Sequence, residues 1–182
     1  MDQPTLHTSR VILRPFRLSD AAAVQRLAGV AAVAEMTLNI PHPYSDGMAE
    51  AWIATQRPAW DARTTVTFAV TSLDGTLCGT VSLQLTMSHR RGEMGYWIGQ
   101  PFWGQGLATD AVRALLRFAF DDLNLNRIQA SHLPRNPASG RVMEKVGMTR
   151  EGLHRERYLK GERFEDVVEY AVLRKEWASE KR

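Results

Sequence analysis

The stretch GYWIGQPFWGQGLATDAVRALL, residues 95 to 116, passes from a strand-like run through a glycine-rich turn into a helix. Gly104 and Gly106 flank Gln105 in this turn, and small residues there let the backbone approach a ligand closely. N–H groups in the first turn of a helix lack helical partners, and the helix dipole adds positive potential. The stretch therefore predicts a phosphate or pyrophosphate site at the start of the helix. The helix carries one continuous apolar stripe, formed by Ala108, Ala111, Val112, Leu115, Leu116, Ala119 and Leu123.

Two common phosphate motifs do not fit this turn. A P-loop requires lysine and then serine or threonine after its second glycine, where this chain has Leu107 and Ala108. A dinucleotide-binding turn follows a parallel strand and requires a third small residue, where this chain has Thr109. The strands that precede the turn have antiparallel character instead. A glycine-rich turn with no ligand is the remaining alternative.

Alternating apolar residues predict an antiparallel group of strands before the turn. Apolar residues alternate over residues 66–70 and, after the turn signal Asp74-Gly75, again over residues 81–87. Residues 93–98 supply a third strand of this group. The other predicted strands cover residues 9–14, 127–131, 148–158 and 167–173, and the other predicted helices begin at Ser19-Asp20, Ser45-Asp46 and Asn136-Pro137, the last ending at Gly147. We therefore predict an α+β fold in which a mixed, mainly antiparallel sheet of about six or seven strands is flanked by about four helices.

The composition is that of one globular domain spanning residues 1 to 182, with 44% apolar and 24% charged side chains. The formal charge of +3 is too small for a dedicated nucleic-acid-binding protein. The sequence has no apolar run of about 18 residues and no recognisable secretion signal, so we expect a cytoplasmic protein that binds no membrane. Cys78 is the single cysteine, which excludes an intrachain disulfide. The five histidines lack metal-ligand spacing, so we predict no metal site.

The glycine-rich turn also follows the pattern Q/R-x-x-G-x-G/A over residues 103 to 108. On this pattern the chain resembles the GNAT superfamily of acyl-CoA N-acyltransferases. Trp103 departs from the first position of the pattern. An aromatic residue followed by G-x-G-x-A-T-[ED]-A is similar to the RimJ/RimL-type branch of ribosomal-protein N-terminal acetyltransferases. Three further stretches resemble that branch in the same order, namely residues 8–20, residues 136–148 and the segment containing Gly161, Asp166 and Tyr170.

This resemblance implies a sheet that is splayed between its fourth and fifth predicted strands, where the pantetheine arm of acetyl-CoA lies. Backbone groups of Trp97 and Ile98 would pair with that arm, and Asn136 and Ser139 would contact it from the next helix. An asparagine directly before a proline is also a typical helix cap, so a purely structural role for Asn136 stays open. The CoA pyrophosphate would bind the turn formed by Trp103, Gly104, Gln105, Gly106, Leu107, Ala108 and Thr109.

The resemblance further implies a catalytic role for Ser139, and Glu93 is a second candidate because it lies on the predicted strand that faces the cofactor. Ser139 would return a proton to the leaving thiolate, a task for which many family members use a tyrosine. The sequence has no tyrosine at or beside position 139. Glu93 would attract or deprotonate the acceptor amine. The alternatives are an ordinary serine in a first helical turn, and an edge carboxylate exposed to solvent beside Arg90 and Arg91.

The implied function is transfer of an acetyl group from acetyl-CoA to a primary amine by direct attack in a ternary complex. The favoured acceptor is the N-terminal α-amine of a protein, of the ribosomal-protein type. An α-amine has a pKa of about 8, against about 10.4 for lysine, so it needs less help from a base. One alternative acceptor is a small amine, such as a polyamine, an amino acid or an antibiotic. A second alternative is a non-catalytic acyl-CoA-binding module. We expect a monomer or a homodimer that makes no direct contact with nucleic acid.

Overall fold

The fold is built on one eight-stranded sheet flanked by helices. The structure is a computed structural model that describes residues 2 to 180, with side chains described as far as Trp177. The strands are β1 (Leu6–His7), β2 (Val11–Arg14), β3 (Thr65–Ser72), β4 (Leu77–Thr86), β5 (Arg91–Ile98), β6 (Arg127–His132), β7 (Thr149–Lys160) and β8 (Arg163–Leu173). The α-helices are α1 (Ala21–Ala28), α2 (Ala31–Ala34), α3 (Met48–Ala54), α4 (Gln56–Asp61), α5 (Leu107–Asp121), α6 (Pro137–Lys145) and α7 (Arg174–Glu180). Among these described residues, no helix has the length and apolar character needed to cross a bilayer.

The sheet opens between β5 and β6, which are the fourth and fifth of the predicted strands. The strand order is β1-β2-β3-β4-β5-β6-β8-β7, and β5 with β6 is the parallel pair in an otherwise antiparallel sheet. That pairing runs from Arg91 opposite Arg127 to Met94 opposite Ala130. The last residues of β5, 95 to 98, pair with β4 on their other side. The predicted α+β fold and its splayed sheet are confirmed.

Helices cover both faces of the sheet. On one face α5 buries its apolar stripe, in which Val112, Leu115 and Leu116 are fully buried. Phe118 of α5 meets Phe68 of β3 edge-on, with 5.7 Å between ring centroids. Full burial of an aliphatic side chain such as Leu115 stabilises the folded state by about 1.5–3 kcal/mol. The opposite face carries a smaller cluster from α1, α3 and the sheet, formed by Ala21, Val24, Leu27, Ala28, Ala49, Ile53, Ala69 and Leu77.

At two of the predicted helix starts, the expected side-chain cap does not form. α3 begins after Gly47, which adopts φ 80°, and no side chain caps this helix. The expected cap, Asp46, instead accepts a hydrogen bond of 2.7 Å from the Gln25 side chain. Asp20 does occupy the residue before α1, but its carboxylate binds the Arg14 guanidinium through two contacts of 2.8 Å. In both cases another partner takes the carboxylate, and the Asp20 carboxylate also accepts from the Arg17 backbone N–H at 2.8 Å.

The prediction also missed elements and merged two others. The helix predicted from Ser45-Asp46 towards Trp60 is divided into α3 and α4 at Thr55. β1, α2 and α7 were not predicted. β1 has two residues and α2 has four, which is too short for a periodic pattern to reveal.

Candidate active site

The glycine-rich turn requires two left-handed backbone positions. Gly104 has φ 76° and Gly106 has φ 78°, a region that side chains with a Cβ atom rarely adopt. Gly106 is the N-cap residue of α5, and no side chain caps this helix. The first turn of α5 therefore presents backbone N–H groups without a side-chain acceptor, as an anion-binding helix start requires.

Arg10 supports this turn from outside the cleft. Its guanidinium donates to both carboxylate oxygens of Asp110, at 2.5 and 3.0 Å, and to the Gln105 carbonyl oxygen at 3.1 Å. The Asp110 carboxylate raises the pKa of Arg10 through this hydrogen bond and its charge. A Cβ atom on Gly106 would lie 2.9 Å from Arg10 Nη1. Arg10 thus connects the chain before β2 to the turn and to α5.

Trp103 uses its indole in place of the glutamine or arginine expected at this position. The indole Nε1–H donates to the Ile98 carbonyl oxygen at 2.6 Å. The turn is thereby closed back onto the last residue of β5. Since a carbonyl oxygen has two lone pairs, Ile98 retains capacity for a second donor. Trp97 lies next to it in the part of β5 that does not pair with β6.

Asn136 caps α6 as predicted and also contacts the opposite side of the cleft. Its side-chain oxygen accepts from the Ser139 backbone N–H at 3.3 Å. Its side-chain nitrogen donates to the Met36 carbonyl oxygen, also at 3.3 Å. The C-terminal end of α6 is marked by Gly147, which has φ 81° as a left-handed helix terminator should.

The structure places a tyrosine beside Ser139 that the sequence analysis did not find. The Tyr96 hydroxyl lies 2.8 Å from Ser139 Oγ and 3.0 Å from the Ser139 carbonyl oxygen. Burial raises the pKa of the Tyr96 phenol. The two residues are 43 positions apart, so their spacing carries no signal. The available signal was the alternation along β5, which puts Tyr96 on the same sheet face as Met94 and Ile98.

Glu93 lies on the other face of β5, inside the cleft. The Gln129 side-chain amide donates to one of its carboxylate oxygens, and the Tyr158 hydroxyl donates to the other, each at 3.4 Å. Arg90, which the alternative interpretation placed beside it, donates instead to the Asn124 carbonyl oxygen at 3.0 Å. Glu93 is therefore half-buried rather than exposed at an edge. A hydrogen bond with Tyr158 raises the pKa of Arg157 and burial raises the pKa of Glu169, and the charge of Glu93 adds to both shifts.

Three side chains hold residues 34 to 37 against the far end of the cleft. Lys160 donates to the carbonyl oxygens of residues 34 and 37, Arg135 to that of residue 35 at 3.2 Å, and Asn136 to that of residue 36. Burial and the nearby Arg135 charge lower the pKa of Lys160. The segment after α2 is thereby held as a fixed wall.

One cleft of about 1190 Å³ joins these features. Its lining includes every predicted site residue except Gln105, whose side chain donates to the Pro101 carbonyl oxygen at 3.2 Å instead. The cleft lining contains both apolar and polar side chains besides the predicted site residues. The apolar ones include Met36, Leu38, Ile40, Met48 and Trp52, and the polar ones include Thr67, Thr80, Ser82 and Gln84.

Other candidate groups lie apart or have structural partners. Cys78 is fully buried, which raises the pKa of its thiol, so it has the properties of an inert core cysteine. His132 Nδ1 lies 2.8 Å from the Leu133 carbonyl oxygen. Across residues 2 to 180, no three histidine, cysteine or acidic side chains come together in a way that could hold a metal ion.

Comparison with known proteins identifies the family. Residues 10–149 match the family described as acetyltransferase (GNAT) domain. The chain belongs to this family. Two solved structures that share its fold contain the cofactor, namely MccE in complex with acetyl-CoA and AMP, and RimL in complex with CoA.

Two curated relatives of this GNAT chain are named for ribosomal acetylation. YdaF of Bacillus subtilis (strain 168), named provisionally as a ribosomal N-acetyltransferase, is 39% identical over 59% of this chain and 60% of its own length. The [ribosomal protein uS5]-alanine N-acetyltransferase of Escherichia coli (strain K12) is 31% identical over 46% of this chain and 43% of its own length. The chain thus spans roughly half the length of these relatives.

The fold has close structural counterparts. RimL, a ribosomal L7/L12 α-N-protein acetyltransferase solved with CoA, superimposes with a TM-score of 0.86. The superposition covers 93% of this chain and 98% of RimL, at 18% identity. Similarity at that identity establishes the shared fold.

Proposed function

We propose that this GNAT chain transfers the acetyl group of acetyl-CoA to a primary amine. The observation that carries the proposal is the arrangement around the end of β5. Glu93 lies on one face of this strand, the Tyr96–Ser139 pair lies on the other, and the opening between β5 and β6 begins directly after Met94. A thioester held in the opening would be accessible to an amine on one side and to a proton donor on the other.

Acetyl-CoA fits the residues at this opening. The start of α5 and the Gly104–Gly106 turn offer backbone donors to the pyrophosphate. Beyond Met94, the edge of β5 that faces away from β4 offers backbone groups to the pantetheine amides, as a neighbouring strand would. Asn136 and Ser139 line the same cleft from α6.

The reaction then needs a base and an acid at two separate positions. The amine nitrogen attacks the thioester carbon, the C–S bond breaks and its electron pair goes to sulfur. Glu93 takes the proton that the amine loses, and Ser139 gives its hydroxyl proton to sulfur. Exchange with solvent restores both groups. Positioned acid–base groups of this kind contribute typically about 10²–10⁴-fold in rate.

The acceptor class we favour is the N-terminal α-amine of a protein, of the ribosomal-protein type. The names of YdaF and the uS5-alanine enzyme support it. A polyamine would favour a cleft rich in carboxylates. Among the described residues, Glu35 and Glu93 are the carboxylates that line this cleft, and one of them is needed for the chemistry.

A mass-spectrometric assay of acetyl transfer to a mixed panel tests the proposal. The panel contains short peptides that have a free N-terminus and an internal lysine, and the same peptides with the N-terminus blocked. It also contains spermidine and an aminoglycoside. We expect acetylation confined to free N-termini. Acetylation of a small amine alone would contradict the acceptor class. Binding of acetyl-CoA with no acetylated product would favour a non-catalytic module.

A further inference from the structure

The Tyr96 hydroxyl has two oxygen partners on one residue. It lies 3.0 Å from the Ser139 carbonyl oxygen and 2.8 Å from Ser139 Oγ. A phenol has one proton to donate, a carbonyl oxygen can only accept, and a serine hydroxyl can do either. In one arrangement Tyr96 donates to the carbonyl and accepts from Ser139. In the other, Tyr96 donates to Ser139 Oγ, and the serine proton is free for a third partner.

The second arrangement suits a serine that acts on sulfur. As Ser139 gives up its proton, negative charge develops on Oγ. A donor 2.8 Å away stabilises that charge, because hydrogen bonds to ionised acceptors are about twice as strong as neutral ones. Burial raises the pKa of Tyr96, so the phenol keeps its own proton while it donates.

We propose that Tyr96 is a positioning residue that directs the Ser139 proton towards the leaving sulfur. The inference rests on the acetyl transfer proposed above and adds a residue to it. Before reaction, the Tyr96 hydroxyl donates to the Ser139 carbonyl oxygen and accepts a hydrogen bond from Ser139 Oγ. When the thioester sulfur lies at the opening, the Tyr96 hydroxyl rotates to donate to Ser139 Oγ. The Ser139 hydroxyl then directs its own proton towards the sulfur. Tyr96 itself transfers no proton and acts only through Ser139.

Tyr96→Phe tests this role because it removes one oxygen atom and keeps the ring in place. Tyr170→Phe is the matched control. Tyr170 also reaches α6 through its hydroxyl, which donates to Glu144 Oε1 at 3.0 Å rather than to Ser139. The assay is steady-state transfer from acetyl-CoA to a free-N-terminal peptide that the wild type acetylates, with calorimetric binding of acetyl-CoA as the measure of folded protein.

We expect Tyr96→Phe to lower kcat by about ten- to a hundredfold, the effect of losing one charge-assisted hydrogen bond, and to leave KM for acetyl-CoA within about twofold. Tyr170→Phe should keep kcat within about twofold. In a Ser139→Ala background, Tyr96→Phe should cause no further loss, since its partner is gone. A purely structural defect would lower kcat in that background as well.

The outcomes separate this inference from the proposed function. If the wild type acetylates no amine in the panel, the proposed function fails, whatever the variants do. If the wild type is active but Tyr96→Phe behaves like Tyr170→Phe, the positioning role is wrong. It is also wrong if the loss caused by Tyr96→Phe persists in full without the Ser139 hydroxyl.

Discussion

Replacing Asn136 separates its two roles, because the side chain makes one contact through its oxygen and one through its nitrogen. The oxygen caps α6 by accepting from Ser139 N–H, and the nitrogen donates to the Met36 carbonyl, each at 3.3 Å. Loss of a cap costs typically about 1 kcal/mol, and loss of one long neutral hydrogen bond about 0.5–1 kcal/mol. Asn136→Ala should therefore lower the free energy of unfolding by about 1.5–2 kcal/mol.

Asn136→Asp is the matched variant, because it keeps the acceptor and removes the donor. The carboxylate caps α6 as well as asparagine does and interacts favourably with the positive end of the helix, by about 0.3–1 kcal/mol. That gain offsets much of the lost bond to Met36, so Asn136→Asp should stay within about 0.5 kcal/mol of the wild type. At about 2–4 °C per kcal/mol, Asn136→Ala should lower Tm by about 3–8 °C.

Urea unfolding and calorimetric binding of acetyl-CoA are measured on the same samples. Equal stability losses in Asn136→Ala and Asn136→Asp would refute the capping argument. If the neutral Asn136→Ala variant, where folded, binds acetyl-CoA at least tenfold more weakly than the wild type, Asn136 contacts the ligand as well. If its affinity is unchanged, the residue is a structural cap and its place in the binding site is wrong.

Three further predictions concern the turn and Glu93. Trp103→Phe loses the indole donor and should weaken acetyl-CoA binding several-fold in calorimetry. Trp103→Gln, which restores a donor, should bind more tightly than Trp103→Phe, and the reverse order would contradict the role of the indole. Gly104→Ala and Gly106→Ala should each lose about 1–2 kcal/mol in urea unfolding from backbone strain. The Gly106 variant should also displace Arg10 and lose more acetyl-CoA affinity, whereas equal affinities would refute the clash. Glu93→Gln should lower kcat/KM for an α-amine peptide about a hundredfold at pH 7. At pH 9 it should come within about tenfold of the wild type, since the amine is then mostly neutral. Abolished turnover at pH 9 would contradict the preference for α-amines.

Local patterns predicted the features that depend on neighbouring residues. The stripe of α5 is buried as its period requires, and the turn at residues 104 to 106 has the positive φ angles that its glycines allow. The asparagine–proline pair at 136 and 137 does begin α6. In each case the physical cause, whether burial, steric freedom or capping, acts within a few positions along the chain.

Features that depend on distant partners were not predictable in this way. Arg10 pairs with Asp110 across 100 positions, and Lys160 binds residues 34 and 37 across more than 120. No periodicity connects such residues. The same cause made Asp46 a wrong cap, because Gln25, which is 21 positions away, takes its carboxylate. Tyr96 was not predicted although a tyrosine is the residue type expected there, because it reaches Ser139 from 43 positions away along the chain.

The proposed division between base and acid follows from the register of the sheet more than from any single side chain. Side chains alternate across a strand, so Glu93 and Tyr96, three positions apart on β5, lie on opposite faces. A slip of one residue against β4 would exchange those faces and move Glu93 into the apolar layer under α5. The buried neighbours Met94 and Ile98 make that slip costly, because it would bring them out of the core. The hydrophobic pattern that folds β5 therefore also fixes which face of the opening holds Glu93 and which face holds Tyr96 and Ser139.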